Sequence, residues 1–502
     1  MASWRADDVS DARAIALTPR AFAVALLGAA ALAFVVHVGA LGHGFVGDDH
    51  YLVERNAGLL EPGALRRALR PGAWGEAADA WNRETNARFY RPVVAAWFVL
   101  DARLFGASPR GFHLVSLLAH LAATLLAGLA LGRMTRSRLV GAVGALLFAV
   151  HAVHAEPVNM ITYRTTLAEA LFALGALALE GAAREAASTR RRAALRALAC
   201  AVYVLALGSK ESAVALPAVV LLWHLLLPPA DAAATPRGRW RTGRDAALAT
   251  LPYAVLAAVL LVWRAAALPP TGWTFFEGAE RSTVLWSMLG VVALYARLLL
   301  VPLRFLPFYD WSLVVHESPA SVDVLLGAVL AAVLVALPLL WRRRSPRAAL
   351  LLACLAVLLL PMMNLVRFTV AAGERLLYLP SVAFVGLVAV GVEALARGGR
   401  RFLAAALVLG LVAFHGAQSV RRTADWRDDD TLLRAAVRDY PESVAAQLQL
   451  ARHLARGHGR AQGDAARTAA CAHYAAALGR WPTLAPARAE AAALGCPAAG
   501  RQ

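Results

Sequence analysis

The stretch AFAVALLGAAALAFVVHVGAL (Ala21–Leu41), running into GHGFVGDDH (Gly42–His50), decides the fold. About 20 apolar residues cross a bilayer as a helix, so Ala21–Leu41 reads as a first span. No small-residue cleavage site precedes the acidic pair, and the run is read as a retained span rather than a removed signal peptide. It delivers Asp48 and Asp49 to the membrane–water boundary, at the mouth of a long polar loop. Ionisable groups beside hydrocarbon are costly and tend to be kept there for function. The structural alternative is a turn or a helix cap, for which Asp is a common residue.

Similar apolar runs recur along all 502 residues. The chain is 59% hydrophobic and 17% charged, with a mean hydropathy of +0.56. These values predict an all-α polytopic membrane protein and exclude a soluble globular one. The formal net charge of +18 would suggest nucleic acid in a soluble protein. Here most of the Arg falls in short loops between apolar runs, which is a topology signal, and nucleic acid is excluded as a partner. Lys210 is the single lysine of the sequence. In so Arg-biased a chain, a retained compact ammonium points to a site that a guanidinium would not serve. Cys200 and Cys354 lie in apolar runs, whereas Cys471 and Cys496 lie in the polar C-terminal part. No Cys/His metal pattern is present.

The Arg-rich loops at 133–138, 184–196, 237–244, 342–347 and 397–401 are assigned to the cytoplasm. About eleven spans then fit, provided that the apolar segment 283–302 does not cross and lies instead as an interfacial or re-entrant helix packed against protein. The expected organisation is a cytoplasmic tail (1–20), a membrane domain (21–419) and a helical tail (420–502). Within the membrane domain, 42–91 is the first extracytoplasmic loop and 265–321 an extracytoplasmic or interfacial segment. In the tail, helix pairs ending at Pro441 and Pro482 have the pattern of one to two tetratricopeptide-like repeats. Cys471 and Cys496, both outside the cytoplasm, are expected to form a disulfide that staples it.

This topology brings distant polar motifs to one face: Asp48 and Asp49, Arg91, His151, His154, Glu156, Arg164, Lys210 with Glu211, and Glu374 with Arg375. Carboxylates, fixed cations and His beside lipid suit a lipid-linked anionic donor. Arg91, Arg164, Lys210 and Arg375 are candidate phosphate ligands, Arg through bidentate hydrogen bonds and Lys as a point charge. An Asp at the loop start is placed to take a proton from an acceptor hydroxyl. The structural alternative for each cation is to snorkel to the interface or to pair locally, Glu156 with Arg164 and Glu374 with Arg375. His113 and His120 read as packed helix residues.

The motifs Phe45-Val46-Gly47-Asp48-Asp49, Tyr90-Arg91-Pro92, His151-Ala-Val-His154-Ala-Glu156-Pro157, Tyr163-Arg164, Lys210-Glu211-Ser212, Asp310-Trp311 and Glu374-Arg375-Leu-Leu-Tyr378-Leu-Pro380 follow one another over nearly the whole chain. In this order they resemble the glycosyltransferase C superfamily, specifically the transmembrane and tetratricopeptide-repeat O-mannosyltransferases and their bacterial relatives. The resemblance implies transfer of a sugar from a polyprenyl-phosphate donor to a hydroxyl, on protein Ser or Thr, with inversion, at the extracytoplasmic face of a bacterial inner membrane. It implies Asp48 and Asp49 as catalytic residues. Arg91, His151, His154, Arg164, Lys210 and Arg375 would bind the donor phosphate, supported by Glu156, Glu211, Glu374 and Tyr378. No cofactor or metal ligand is implied, and a divalent-metal requirement stays open. The acceptor protein would be met by the tail. The chain departs from the family at Thr166, where an acidic residue usually stands two positions after the motif Arg; Glu169 is the nearest acid. Its repeat array is also much shorter.

Three other readings compete. A ligase moving a lipid-linked glycan or phosphate onto envelope material uses the same charges. A transporter calls for charges in mid-span rather than at one face. A non-catalytic repeat scaffold leaves the charge cluster without a purpose.

Overall fold

The computed structural model describes residues 17–71, 89–228, 236–268, 274–457, 459 and 463–497. The Trp- and Asn-rich middle of the 42–91 loop, and Trp273, lie outside these residues. The described residues contain helices and no strand. The main helices are α1 (Pro19–His37), α2 (Pro92–Phe105), α3 (Pro109–Thr135), α4 (Arg138–Val150), α5 (Arg164–Glu185), α6 (Thr189–Leu207), α7 (Leu216–Leu226) and α8 (Pro236–Ala267). They continue with α9 (Arg281–Leu300), α10 (Val322–Trp341), α11 (Pro346–Leu359), α12 (Pro380–Arg397) and α13 (Arg401–Asp425). The tail holds α14 (Asp429–Asp439), α15 (Val444–Ala455), α16 (Gly463–Arg480) and α17 (Ala485–Ala493).

Local chemistry explains most of the starts. Thr18 accepts from the Ala21 amide, with Pro19 in the first turn of α1, and Ser137, Ser188 and Ser321 cap α4, α6 and α10 in the same way. Small residues let helices approach closely. A Cβ on Gly141 of α4 would stand 2.5 Å from the Gly128 carbonyl oxygen of α3, so the two backbones meet with no side chain between them. The outer helices present aliphatic surface: Val322, Leu325, Val329, Val335 and Leu339 of α10 are all exposed, as lipid-facing residues are.

Eight helices among the described residues are long and apolar enough to cross a membrane. A ninth candidate is Arg138–Val150 with Ala152–Asn159, bent by 56° at His151. The expected count of eleven drew on shorter apolar runs as well, two of which form the helices Glu211–Leu226 and Pro346–Met362. Two expected loops need correction. Arg190, Arg191, Arg192 and Arg196 lie within α6 rather than in a loop, because Ser188 caps the helix ahead of them and Arg is a good helix former, and the 237–244 segment lies within α8.

The segment expected at 283–302 is the continuous helix α9, itself long and apolar enough to cross. It packs closely along α10, where a Cβ on Gly327 would run into the Leu289 carbonyl oxygen, and it also meets loop residues. Ser287 accepts from the His316 amide (3.0 Å), Asn364 reaches Met288 (3.6 Å), Arg297 pairs with Asp323 (2.7 Å), and the Leu299 carbonyl meets His151 (3.1 Å). The residues before it also touch the 364–368 loop, through the Phe275 amide on the Phe368 carbonyl and Arg367 on the Ala279 carbonyl. In the tail, successive helices pack on one another, and a disulfide joins Cys471 of α16 to Cys496 beyond α17.

If α9 lies along one face, single cysteines replacing Glu277 and Ser318 on either side of it share one sidedness. With Cys200 and Cys354 removed, an impermeant thiol reagent on sealed right-side-out vesicles is expected to label positions 277, 318 and 483 alike, and to spare 187 and 343. Opposite labelling of 277 and 318 makes α9 a full span.

Candidate active site

Asp49 organises the loop after α1. Its carboxylate is fully buried and accepts from the Ile161 amide (3.1 Å) and the Thr162 amide (2.8 Å). The acidic pair is thereby pinned to the turn that opens α5. Burial pushes the Asp49 carboxyl up to about 7 against the pull of those amides. This is the cap that the sequence left open as an alternative, and it faces away from solvent. Gly47, just before, has φ +53°, and a Cβ there would stand 3.1 Å from the Met160 methyl, so a bulkier residue is strained as well as crowded.

Asp48, between these two anchors, lines a cleft of about 1050 Å³, its open mouth included. The cleft brings together Asp48, Arg91, Tyr163, Thr166, Lys210 and Arg375, and Pro307, Phe308 and Tyr309 also line it. Each cation is paired with a carboxylate. Glu211 takes Arg91 through two contacts (3.1 and 3.3 Å) and Arg264 at 3.4 Å. Although burial opposes its charge, Arg91 and Arg264 hold Glu211 down at about 2. Lys210 donates to Thr166 (2.9 Å) and stands 3.7 Å from Glu169, which accepts from Ser212 (2.5 Å). Burial pulls the Lys210 ammonium below its ordinary value, as do Arg91 and Arg375 nearby, against Glu169. Arg375 meets Glu156 through both its amide (2.5 Å) and its guanidinium (2.6 Å), and lies 4.1 Å from the centre of the Tyr163 ring. Burial works against its charge, but Tyr163, Glu156 and Asp48 outweigh it and its pKa is raised. Counted formally, Arg91, Arg264, Lys210 and Arg375 face Glu211, Glu169 and Glu156, an excess of one positive charge before Asp48 is included.

Other expected ligands do not reach the cleft. Arg164 is fully buried, paired with Asp101, with Ser116 at 3.2 Å, the Phe112 carbonyl at 2.7 Å, and the Trp97, Phe98 and Phe112 rings around it. Its donors are spent on protein groups. His151 bonds the Leu299 carbonyl and stacks on His415, while His154 meets Ser381 (2.9 Å) beside Tyr378, whose hydroxyl bonds His120 (2.7 Å). These three are packing residues of the membrane core. Glu374 faces Arg422 (3.6 Å) and accepts from the Leu306 amide (2.8 Å); burial raises its pKa. The expected local pairs are thus exchanged: Glu156 serves Arg375, Asp101 serves Arg164 and Glu374 serves Arg422.

Sequence reasoning passed over Asp101, Tyr163 as a cleft wall, Tyr309, and buried Arg422. Tyr309 stands next to the quoted Asp310-Trp311 and was within reach; Asp101 sits in an apolar run with nothing local to mark its partner.

Protein O-mannosyl-transferase TMTC4 of Homo sapiens is 27% identical to this chain over 463 residues, covering 82% of the chain and 61% of that protein. Protein O-mannosyl-transferase Tmtc1 of Drosophila melanogaster is 33% identical over 144 residues, covering 28% of the chain and 16% of that protein. The chain resembles the protein O-mannosyl-transferases. It spans less than two thirds of the length of each of these relatives. No family model matches. Among solved structures, ArnT from Cupriavidus metallidurans bound to undecaprenyl phosphate is similar at a TM-score of 0.39 and 15% identity, covering 88% of this chain and 81% of that one. The archaeal oligosaccharyltransferase AglB from Archaeoglobus fulgidus, in complex with an inhibitory peptide and a dolichol-phosphate, is similar at 0.41 and 12%, covering 81% and 56%.

Removing one partner of a buried ion pair strands the other. Asp101→Ala is expected to lower stability by about 3–5 kcal/mol, read as an earlier thermal unfolding in detergent; an unchanged transition means that Arg164 is satisfied elsewhere.

His50 gives a pH prediction. Asp429 (2.8 Å) and Glu54 (2.6 Å) hold its pKa up at about 9, from an ordinary 6.5, against burial. A raised folded pKa contributes stability that is full below about 6.5 and lost as pH rises through about 9. Arg427, Asp428, and His453 facing Asp430 complete the charged surroundings. Amide protection factors over residues 44–50 are expected to fall between pH 7 and 10, and in His50→Gln to be flat over that range. A wild-type profile as flat as the variant's contradicts the pairing.

Proposed function

We propose that the protein is a membrane glycosyltransferase of the glycosyltransferase C type, using a polyprenyl-phosphate sugar and a hydroxyl acceptor. The observation that carries this reading is the cleft itself: Asp48 faces three carboxylate-braced cations, Arg91, Lys210 and Arg375. Bracing fixes each cation before the ligand arrives, so little reorganisation is needed as charge develops.

In the proposed reaction the acceptor oxygen attacks the anomeric carbon from the face opposite the phosphate, which inverts it. Asp48 takes the hydroxyl proton as the new C–O bond forms. The bond from the anomeric carbon to the phosphate oxygen breaks, and the electron pair leaves with the phosphate. Arg91, Lys210 and Arg375 hold that phosphate more tightly as its charge grows, which lowers the barrier. Asp49 keeps Asp48 in place and takes no proton from substrate. The relatives named as O-mannosyl-transferases favour mannose as the sugar and a protein hydroxyl as the acceptor. Under this reading the cleft and tail are extracytoplasmic, and the paired helices of the tail are tetratricopeptide-like and meet the protein acceptor.

The test is release of polyprenyl phosphate from polyprenyl-phosphate-mannose by purified protein, with solubilised proteins of its own membrane as acceptors. Asp48→Asn keeps the volume, removes the base and is expected to cut turnover by ~10²-fold or more. Near-normal turnover in a well-folded Asp48→Asn protein removes Asp48 from the mechanism.

A further inference from the structure

The tail contacts two segments that line the cleft. At the start of α14, Asp429 accepts from the Gly47 amide (2.9 Å) through one carboxylate oxygen and meets His50 Nε2 (2.8 Å) through the other. The Arg427 carbonyl accepts from the Gly44 amide (3.0 Å), and buried Trp426 packs with Val46 and Met160. The Asp48 loop is therefore held on both sides: Gly47 and His50 by the tail, Asp49 by the 161–162 amides.

At the other end of α14, Asp439 accepts from the Phe305 amide (3.2 Å) and its carbonyl accepts from Arg304. Just beyond, Asp310 accepts from Ser443 Oγ (2.5 Å) and the Ala445 amide (2.8 Å). The 304–310 segment so fixed carries Pro307, Phe308 and Tyr309, which line the same cleft as Asp48. An 11-residue helix is about 16 Å long, and its two ends grip two segments that line the cleft.

We propose that Asp429 is a positioning residue for Asp48, and that α14 is a strap setting the separation between the base and the 304–310 segment. This rests on the reading of Asp48 as the base. The carboxylate at 429 touches no substrate. It acts by fixing the backbone on either side of Asp48, and a small displacement of a base is expensive: about 1 Å of misplacement can cost ~10²-fold. The strap also gives a physical route by which something bound to the tail alters turnover, because α14 is continuous with the helices packed behind it.

The test uses the full-length protein in nanodiscs, with polyprenyl-phosphate-mannose as donor and steady-state kcat and donor KM measured separately. Asp429→Ala loses both contacts and is expected to lower kcat by ~10-fold or more with donor KM held within about two-fold. Asp429→Asn keeps an oxygen for Gly47 and is expected to fall in between. Wild-type kcat in Asp429→Ala overturns the proposal, as does a raised KM at constant kcat, which would make the tail a donor-site element. If Asp429→Ala does not accumulate, Asp429→Asn decides: reduced kcat at a normal melting transition supports the strap, and wild-type kcat overturns it. Asp48→Asn is assayed alongside. Turnover retained there removes the base reading and the strap with it; no turnover there, with a normal Asp429→Ala, removes the strap alone.

Discussion

A cation beside hydrocarbon must be matched by a carboxylate, and the site depends on how that constraint is met. Stranding either partner costs several kcal/mol, so buried charges come in pairs or networks. Arg91, Lys210 and Arg375 are paired with Glu211, Glu169 and Glu156 from elements remote in sequence. The pairing ties together the loop before α2, the α6–α7 turn, α5, the break after α4 and the loop before α12. The three cations line the cleft, whereas their carboxylate partners do not. The same rule sorts the residues that do not take part: Arg164 is hydrogen-bonded to Asp101, and Arg422 stands 3.6 Å from Glu374, both inside the protein.

Fold class was legible because long apolar runs have one explanation. Asp48, Arg91, Lys210 and Arg375 were each named from sequence, and the fold brings them to one cleft. Partner choice was not legible. Glu156 lies eight residues from Arg164 in sequence yet serves Arg375, more than two hundred residues away, because the chain bends by 56° after α4 and turns Glu156 toward the loop before α12. His151 and His154 had a polar signature, but neutral imidazoles pack well against Tyr and Ser inside a helix bundle, and sequence does not separate that use from catalysis. The two Asp residues are chemically identical in sequence. Only the amides of Ile161 and Thr162 distinguish the buried one from the one facing the cleft.

The tail changes meaning once its contacts are seen. Read from sequence it is an appendage too short to stand alone. In the fold its first helix is held at both ends by the loops that wall the cleft, and its far helices are tied by the Cys471–Cys496 bridge. A small helical unit gains stability from docking, and the docked surface gains rigidity in return. The tail thus holds two of the segments that line the cleft.

The central claim is that the braced cations form one phosphate site in front of Asp48. The most direct measurement is a cryo-EM structure of the protein in nanodiscs with a polyprenyl phosphate bound. The account predicts the phosphate within hydrogen-bonding distance of Arg91, Lys210 and Arg375, with Asp48 across the cleft. A phosphate held instead among the arginines of the opposite face, with the Asp48 cleft empty, would contradict it.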